Sequence, residues 1–409
     1  MSDEVIRITN VAMLLKIETT EGVDAAPGAV DAFPFEKDGY TYNLPFVSEE
    51  SNEATGDMIA GAPLIVGQPA RVSIRVRLKG ANAAYTSSVK PPHHALLAIA
   101  GLRPLFTAAV VAGALTAGTT TSATLANTFS ATTRAYLGMP LILSGAEAGA
   151  VPLITEYTSG RVATLADEFS AELDETTSAA IPANYTYAGT SPNDGADRIT
   201  DNPSGTLYLY EDGTLHKFFA CRAMLDELTA NSSKPGFATF QLVGIYGGKF
   251  DASIPDGISL PAHSAPTLVK GLAGVSDAFS VNRRKLPIST FSYKMAADLD
   301  SPEDPNTPQG YGAGVIGGRV PSITCDPLST LVATRDTLGQ MEAGSQYPGA
   351  VRFKGAASNR MSITFPKLQM SENQPGTRQK LRSDQLGYRA LNSGRDAQDR
   401  ATDVIICFY

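Results

Sequence analysis

Few side chains in this chain of 409 residues have a spacing that could support acid–base or metal chemistry. It has four histidines, and two of them, His93 and His94, are adjacent. Neighbouring positions on a helix point about 100° apart. Two histidines that bind one zinc ion from a helix need i, i+4 spacing instead. We therefore expect a pair at the surface start of a helix and no metal site.

Three further segments match known sites only in outline. Gly312–Gly317 fits the GxGxxG pattern, but it follows an acidic, proline-rich segment rather than a strand, which predicts a flexible loop. The acidic segments Pro192–Asp201 and Asp298–Asp304 lack the ligand register of a calcium loop. No serine, cysteine or threonine has an arguable histidine base. The sequence predicts no catalytic residue, no metal site and no cofactor, and therefore a protein that is not an enzyme.

Charge and cysteine content exclude further classes. The chain has 33 basic and 41 acidic residues, a net charge of −8, whereas a nucleic-acid reader normally has a basic face. Cys221, Cys325 and Cys407 lie in apolar segments and are expected to be buried free thiols. No targeting segment or membrane span is recognisable, so we expect a protein made in the cytoplasm with no membrane partner.

The elements that must position any functional residue are mostly strands. Ala70–Lys79 alternates apolar and polar residues, as a half-buried strand does. Glu211-Asp212-Gly213 is a hairpin turn between two strand patterns. One short helix follows Pro91-Pro92 and ends at Gly101, and helical spacing predicts a second over Leu328–Met341.

Changes in composition divide the chain. A segment poor in lysine and arginine indicates a small inserted β-module. The predicted units are a first domain of residues 1–106 and 192–257, the module of residues 107–191, a linker of residues 258–266 and a second domain of residues 267–409. A weak internal echo, with similar turns at Pro235-Gly236 and Pro375-Gly376, suggests a duplication.

The first half of the chain resembles a known family. An apolar stretch leads into Glu18–Pro27 (ETTEGVDAAP), which resembles the start of the tail tube (major tail) proteins of long, non-contractile-tailed bacteriophages. Leu207–Leu225 and Lys234–Gly247 resemble the hairpin and closing strand of the same family. The central segment is similar to a small β-module found inserted in phage virion proteins.

The resemblance implies a mainly β fold with two tail-tube-type β-sandwich or barrel domains, each with a short helix, plus the inserted module. The family's rings contain six tube domains. Because the length left after removing the module suits two such domains, we expect a trimeric ring with pseudo-sixfold symmetry, stacked head to tail. Implied partners are other copies of the chain, a tape-measure protein and tail terminator or distal tail proteins. DNA would pass through an acidic or neutral lumen of the virion tail without specific binding.

The long acidic segment Glu36–Gly61 is the candidate contact between rings. Its predicted anchors and charges are Tyr40, Tyr42, Phe46, Glu49, Glu50 and Glu53. The basic residues Arg378, Arg382 and Arg389 are the candidate partners on another protomer. An ordinary mobile surface loop is the alternative for this segment.

Two alternatives stay open at the level of the whole protein. The chain could be a phage adhesin or baseplate protein that binds host surface glycans through the module. The module's aromatic residues, which such binding would use, are scattered: Phe129, Tyr136, Tyr157, Phe169, Tyr185 and Tyr187. A hexamer with a separate C-terminal domain is the alternative to the trimer.

Overall fold

The computed structural model describes residues 6–7, 9–51, 53–54, 56, 58–59, 61–190, 202–269 and 277–409. The acidic segment Pro192–Asp201 lies outside these residues. The described part of the chain is mainly β, as the sequence predicts, and has two short α-helices.

The elements up to residue 251 are, in chain order, β1 (Val11–Ile17), a 3-10 helix (Ala29–Asp31), β2 (Tyr40–Tyr42), β3 (Phe46–Glu49), β4 (Leu64–Gly67), β5 (Ala70–Val76), α1 (His94–Ile99), β6 (Leu102–Thr107), β7 (Val110–Ala114), β8 (Ala117–Gly118), β9 (Ser122–Thr124), β10 (Ile142–Gly145), β11 (Ile154–Tyr157), β12 (Val162–Leu165), β13 (Thr177–Ile181), β14 (Asn184–Gly189), β15 (Gly205–Glu211), β16 (Thr214–Asn231) and β17 (Phe237–Asp251). The later elements are β18 (Phe279–Val281), β19 (Arg284–Lys285), β20 (Thr290–Lys294), β21 (Ala297–Asp300), β22 (Val315–Arg319), β23 (Ser322–Cys325), α2 (Thr337–Glu342), β24 (Gln346–Phe353), β25 (Met361–Arg378), β26 (Leu381–Ala390) and β27 (Ala401–Phe408).

Twelve of these strands form two copies of one antiparallel pattern. In the first copy, repeat 1, the hydrogen-bonded order is β1-β15-β16-β17-β5-β2. In the second, repeat 2, it is β18-β24-β25-β26-β23-β20. Both copies use their strands in the same chain order. Each also places a two-stranded hairpin between its second and third strands and a helix after the third. The topology is therefore an internal duplication.

The two repeats of the structure align differently from the two similar stretches of sequence. Pro375 and Gly376 do not form a turn but lie within β25, opposite Asp384 and Ser383 of β26. The turn is Gln379-Lys380, and both of its residues have positive φ, 48° and 67°, as a two-residue type I′ hairpin requires.

The two repeats share one sheet and one core. The last residues of β16 pair with β20, which joins the repeats into a sheet of 16 strands. One hydrophobic cluster contains side chains of both repeats, among them Phe240 and Leu228 of repeat 1 and Phe291 and Phe365 of repeat 2. Alternation along β5 follows the predicted pattern, with Val72, Ile74 and Val76 buried.

The inserted module has its own two small sheets and its own core. The sheets are β10-β13-β7 and β11-β12-β9-β8, and their cluster includes Leu141, Ile154 and Leu165. Strand β14 falls within the predicted module of residues 107–191 but belongs to the main sheet, where it pairs with β6 on one side and with β27 on the other. Strands β6 and β14, which we call the stem of the module, are thereby attached to β27, and β27 in turn pairs with β25 of repeat 2.

The two helices differ in burial. Helix α1 follows Pro91-Pro92 as predicted, buries Leu96 to Ile99, and is followed by Gly101 with φ 71°. The second helix is shorter than the pattern over Leu328–Met341 predicts, because it begins only after Asp336, whose carboxylate caps Gly339 N at 2.8 Å. None of its residues is buried.

Candidate assembly interface

We call the pairing of β16 with β20 the joint between the repeats, and it shows how one repeat connects to the next. Leu228, Thr229, Ala230 and Asn231 of β16 lie opposite Tyr293, Ser292, Phe291 and Thr290 of β20. The next pair continues the register, since Ser232 N donates to Ser289 O at 2.8 Å. In an antiparallel ladder alternate residues face the partner strand, so the backbone groups of Leu228, Ala230, Phe291 and Tyr293 form this joint.

Strand β2 holds the corresponding position at the other end of the sheet, and its outer edge is open. It pairs only with β5 in the described chain. Arg75 N donates to Gly39 O at 2.7 Å, and Asn43 N donates to Arg71 O at 3.0 Å. Residues of an antiparallel strand bond alternately to one side and the other, so the backbone N–H and C=O groups of Tyr40 and Tyr42 point away from β5. Repeat 1 therefore presents the edge that β20 uses in repeat 2.

Strand β25 presents the complementary open edge. Strand β24 covers β25 only from Met361 to Gln369, so the rest of that edge has no partner strand in the described chain. The pair Arg378–Leu381 closes the type I′ turn and is hydrogen-bonded. Alternation from Arg378 turns the backbone groups of Asn373, Pro375 and Thr377 outward. Pro375 has no N–H, a common protection of an edge strand against non-specific pairing.

The predicted anchors Tyr40 and Tyr42 have partners within the chain. Tyr40 Oη donates to Glu211 Oε1 at 2.9 Å, and Tyr42 Oη donates to Glu211 Oε2 at 3.0 Å. Burial, reinforced by the hydrogen bond to Glu211, raises the pKa of Tyr42 to about 12. Both rings are half-buried against the core and hold β2 on the sheet. The structure thus gives these side chains an intrachain role that differs from the predicted one.

In the rest of the predicted contact segment, Phe46–Glu49 is a strand that pairs with Leu64–Gly67, just beyond the segment. We call the β3–β4 unit, Phe46–Gly67, hairpin 1. Phe46 is 52% exposed, Leu64 is 64% exposed and Ile65 is 63% exposed. Met58 and Ile59, in the connection between the strands, are also exposed. The predicted charges Glu49, Glu50 and Glu53 are exposed as well.

The corresponding hairpin of repeat 2 is packed on repeat 1. We call the β21–β22 unit, Ala297–Arg319, hairpin 2. Arg222 Nη1 donates to Gly314 O at 2.6 Å, and Gly314 N donates to Ala220 O at 3.2 Å. A Cβ at Gly314 would lie 2.4 Å from Val243 O, so only glycine allows this approach. The GxGxxG segment therefore leads into strand β22 of a docked hairpin and is not a free loop.

Other contacts extend the docking of hairpin 2 across repeat 1. Asp300 lies 3.7 Å from the guanidinium of Arg71 on β5. Ile316 packs against the main core and lies close to Gly101, at the end of α1. Hairpin 2 thus covers β16, β17, β5 and the end of the helix.

Of the three predicted basic partners, one is engaged within the chain. Arg378 Nη1 lies 3.3 Å from Asp326 Oδ2 and donates to the Asp326 carbonyl at 3.0 Å. Arg382 and Arg389, both on β26, are exposed. Their intermolecular role stays a prediction.

The sheet face opposite the core carries charges of both signs. Basic side chains on it include Arg71, Arg75 and Lys294. Acidic ones include Glu227, which lies 3.9 Å from Lys294. The guanidinium of Arg75 lies 4.1 Å from the centre of the Phe237 ring. Charges of both signs, some of them paired, thus lie on this face.

The histidines are not the surface pair that the sequence predicts. His93 is buried, with Nε2 2.9 Å from Pro34 O, and His94 Nδ1 lies 2.9 Å from Tyr187 Oη. Burial lowers the pKa of each ring to about 4, with a smaller contribution from Lys90 at His94. Both rings serve the packing of α1.

Other chemistry-bearing groups are buried or scattered. The three cysteines are buried free thiols, as predicted, and burial raises the pKa of each. Across the residues that the structure describes, no group of three or more potential metal ligands comes together. Within the same residues no helix is long and apolar enough to span a membrane.

No protein-family model matches the chain, and no curated protein matches it.

All six aromatic residues considered for glycan binding are buried: Phe129, Tyr136, Tyr157, Phe169, Tyr185 and Tyr187. They form the module's core and its stem and present no exposed aromatic platform.

Proposed function

We propose that this chain is a structural subunit of the tail tube of a long, non-contractile-tailed bacteriophage. The observation that carries the proposal is the internal duplication, with one joint made within the chain and the two halves of a second joint left open. In the proposal, β2 of one copy pairs with β25 of the next, as β20 pairs with β16 inside the chain.

Such a contact joins two different surfaces, so it is heterologous. Repetition of a heterologous contact closes into a ring when the rotation between copies allows it. Two equivalent repeats per chain favour three copies, giving six sheet units around the ring. The resemblance of residues 18–27 and 207–247 to the tail tube family supports the same number.

Ring closure would make the joined sheet a continuous inner wall. The core face of the sheet is covered by α1 and the stem of the module, which leaves the opposite face for the lumen. Paired charges of both signs on that face suit a conduit, because uncompensated lysine and arginine would bind phosphates and retard DNA. Stacked rings would form the tube, and the module would project outward.

Microscopy of the purified protein tests the proposal against the adhesin alternative. We expect negative-stain images with long tubes and end-on rings that have a central hole. Discrete particles without a hole, at every protein concentration tested, would contradict the proposal. The buried aromatic residues of the module give the adhesin function no specific support.

A further inference from the structure

Hairpin 1 ends in apolar side chains that face solvent. Phe46, Leu64 and Ile65 lie along its strands, and Met58 and Ile59 lie in the connection. Clustered apolar side chains of this size on a surface mark an interaction site. The three glutamates Glu49, Glu50 and Glu53 accompany them.

A second exposed apolar patch lies in repeat 2 around α2. Leu331 is 80% exposed and Leu338 is 68% exposed, and Val332 and Met341 are exposed beside them. The α2 region packs on the last strands of repeat 2, since Asn373 Nδ2 donates to Thr337 Oγ1 at 3.0 Å. Strand β26 adds the exposed Arg382 on the side of α2, whereas Arg389, seven residues further along, lies opposite Ser322 and points to the other face of the sheet. The helix patch and Arg382 complement the apolar and acidic character of hairpin 1.

Within the chain, hairpin 2 shows how such a hairpin docks on the neighbouring repeat. Hairpin 2 covers repeat 1 at β16, β17, β5 and the end of α1, with the Arg222–Gly314 bond and the Asp300–Arg71 pair. The equivalent place in repeat 2 is bounded by β25, β26, β23 and the end of α2. The hairpin of repeat 1 that corresponds to hairpin 2 is hairpin 1. It exposes its apolar side chains in the described chain, while Gly67 at its base lies against the backbone of Gln309 in hairpin 2.

Chain continuity links hairpin docking to the strand joint. β20 ends at Lys294 and β21 begins at Ala297. Because β20 pairs with β16 of repeat 1, hairpin 2 follows it directly onto repeat 1. β2 ends at Tyr42 and β3 begins at Phe46. If β2 pairs with β25 of another copy, hairpin 1 must emerge against repeat 2 of that copy.

We propose that hairpin 1 docks within the ring on repeat 2 of the adjacent copy, in the place that hairpin 2 occupies on repeat 1. The inference rests on the proposed ring of copies joined edge to edge. The occupant of the α2 patch is thus a second copy of this chain. Apolar side chains of hairpin 1 pack on the patch, and its glutamates face Arg382. This contact lies between neighbours in one ring, whereas the sequence predicts a contact between rings.

Cross-linking tests the inference, because a ring limits the size of the covalent product. The double variant Ile65→Cys/Leu338→Cys is assembled and treated with a flexible bismaleimide, while the three native thiols are buried. Contacts within a ring give a denaturing-gel ladder that stops at the number of copies per ring, which we expect to be three. The control Ile65→Cys/Val111→Cys carries a similarly exposed site on the module and should give no ladder.

The outcomes separate this inference from the proposed function. A ladder that continues beyond the ring size places the contact between rings and overturns the inference. Tubes without any cross-link also overturn it, while the tail-tube function stands. Absence of rings in unmodified protein refutes the function itself.

A second variant does not depend on thiol geometry. Leu64→Glu/Ile65→Glu places charge at exposed positions, so the monomer is expected to fold. We expect at least tenfold weaker ring formation by light scattering, whereas Val111→Glu leaves it unchanged. Normal rings that merely fail to stack would overturn the docking within the ring.

Discussion

Blocking the open edge of β25 is expected to prevent ring formation without unfolding the chain. Thr377 is exposed, and its backbone N–H points away from β26 by the alternation that starts at the Arg378–Leu381 pair. Thr377→Pro removes this outward donor and keeps the bonds to β26. Since Pro375 already lacks an N–H, only Asn373 would still donate from these three outward positions.

The size of the effect follows from the number of joints. Loss of the donor leaves an unsatisfied carbonyl in each joint, at a cost of about 1–3 kcal/mol. A ring of three copies contains three such joints, so the ring loses about 3–9 kcal/mol. At about 1.4 kcal/mol per tenfold change, the association constant of the ring falls by about two to six orders of magnitude.

Sedimentation velocity over a concentration series measures this loss, with thermal unfolding of the dilute protein as the check on folding. Thr377→Ala is the matched control, because it removes the side chain and keeps the N–H. We expect rings for Thr377→Ala and monomers for Thr377→Pro, with similar unfolding temperatures. Rings of unchanged stability in Thr377→Pro would refute the assignment of this edge to the joint.

Three further predictions concern the module, its attachment and pH. Replacing Ala108–Ala183 by Asn-Gly removes the module and joins β6 and β14 in a tight hairpin. Arg352→Leu is added because the deletion removes its partner Asp167. This variant should still form tubes in micrographs, and loss of tubes would contradict a module that projects outward. Arg352→Ala alone should lower the free energy of unfolding in urea by about 3–5 kcal/mol, because it leaves its buried partner Asp167 unpaired, and Arg352→Leu/Asp167→Leu should recover part of this loss. The free energy of unfolding should be highest above pH 6.5 and should fall towards pH 4, by up to about 3 kcal/mol for each of His93 and His94. The reason is that these histidines bind protons at a higher pH in the unfolded chain than in the folded one. An unchanged pH profile in His93→Gln/His94→Gln would refute this cause.

Local patterns in the sequence predict individual elements well. The alternation in β5 and the turn at Glu211-Asp212-Gly213 are confirmed, because each depends on residues adjacent in the chain. The end of α1 at Gly101 is confirmed for the same reason. The second helix is shorter than predicted, since the spacing of Leu331 and Leu338 has the helical period but no core for these side chains to enter.

The joint and the open edges could not be predicted from the sequence. Pairing of β16 with β20 connects residues about sixty positions apart and depends on register, which neighbouring residues do not specify. The echo between the halves suggested a duplication but placed the turn at Pro375-Gly376 instead of Gln379-Lys380. Proline is tolerated there because its side of β25 has no partner strand among the residues that the structure describes.

The sequence pointed to part of the surface that hairpin 1 exposes, and the contact role of this surface stays a prediction. Phe46 and the glutamates of hairpin 1 are exposed, as a contact surface requires, but Leu64 and Ile65 on its second strand were missed. The apolar run from Leu64 to Val66 is too short to stand out. Tyr40 and Tyr42 looked like surface anchors because Glu211, their partner, lies far away in the sequence. Hairpin 2 was missed because its glycines suggested a loop.

A reconstruction of the assembled protein by electron cryo-microscopy tests the central claim most directly. The account predicts a ring of three copies in which the β16–β20 joint within each chain alternates with a β25–β2 joint between chains. Tyr40 and Tyr42 would then bond through their backbone to β25 of the neighbour. A ring or tube in which the outer edges of β2 and β25 face solvent, or in which other surfaces join the copies, would contradict it.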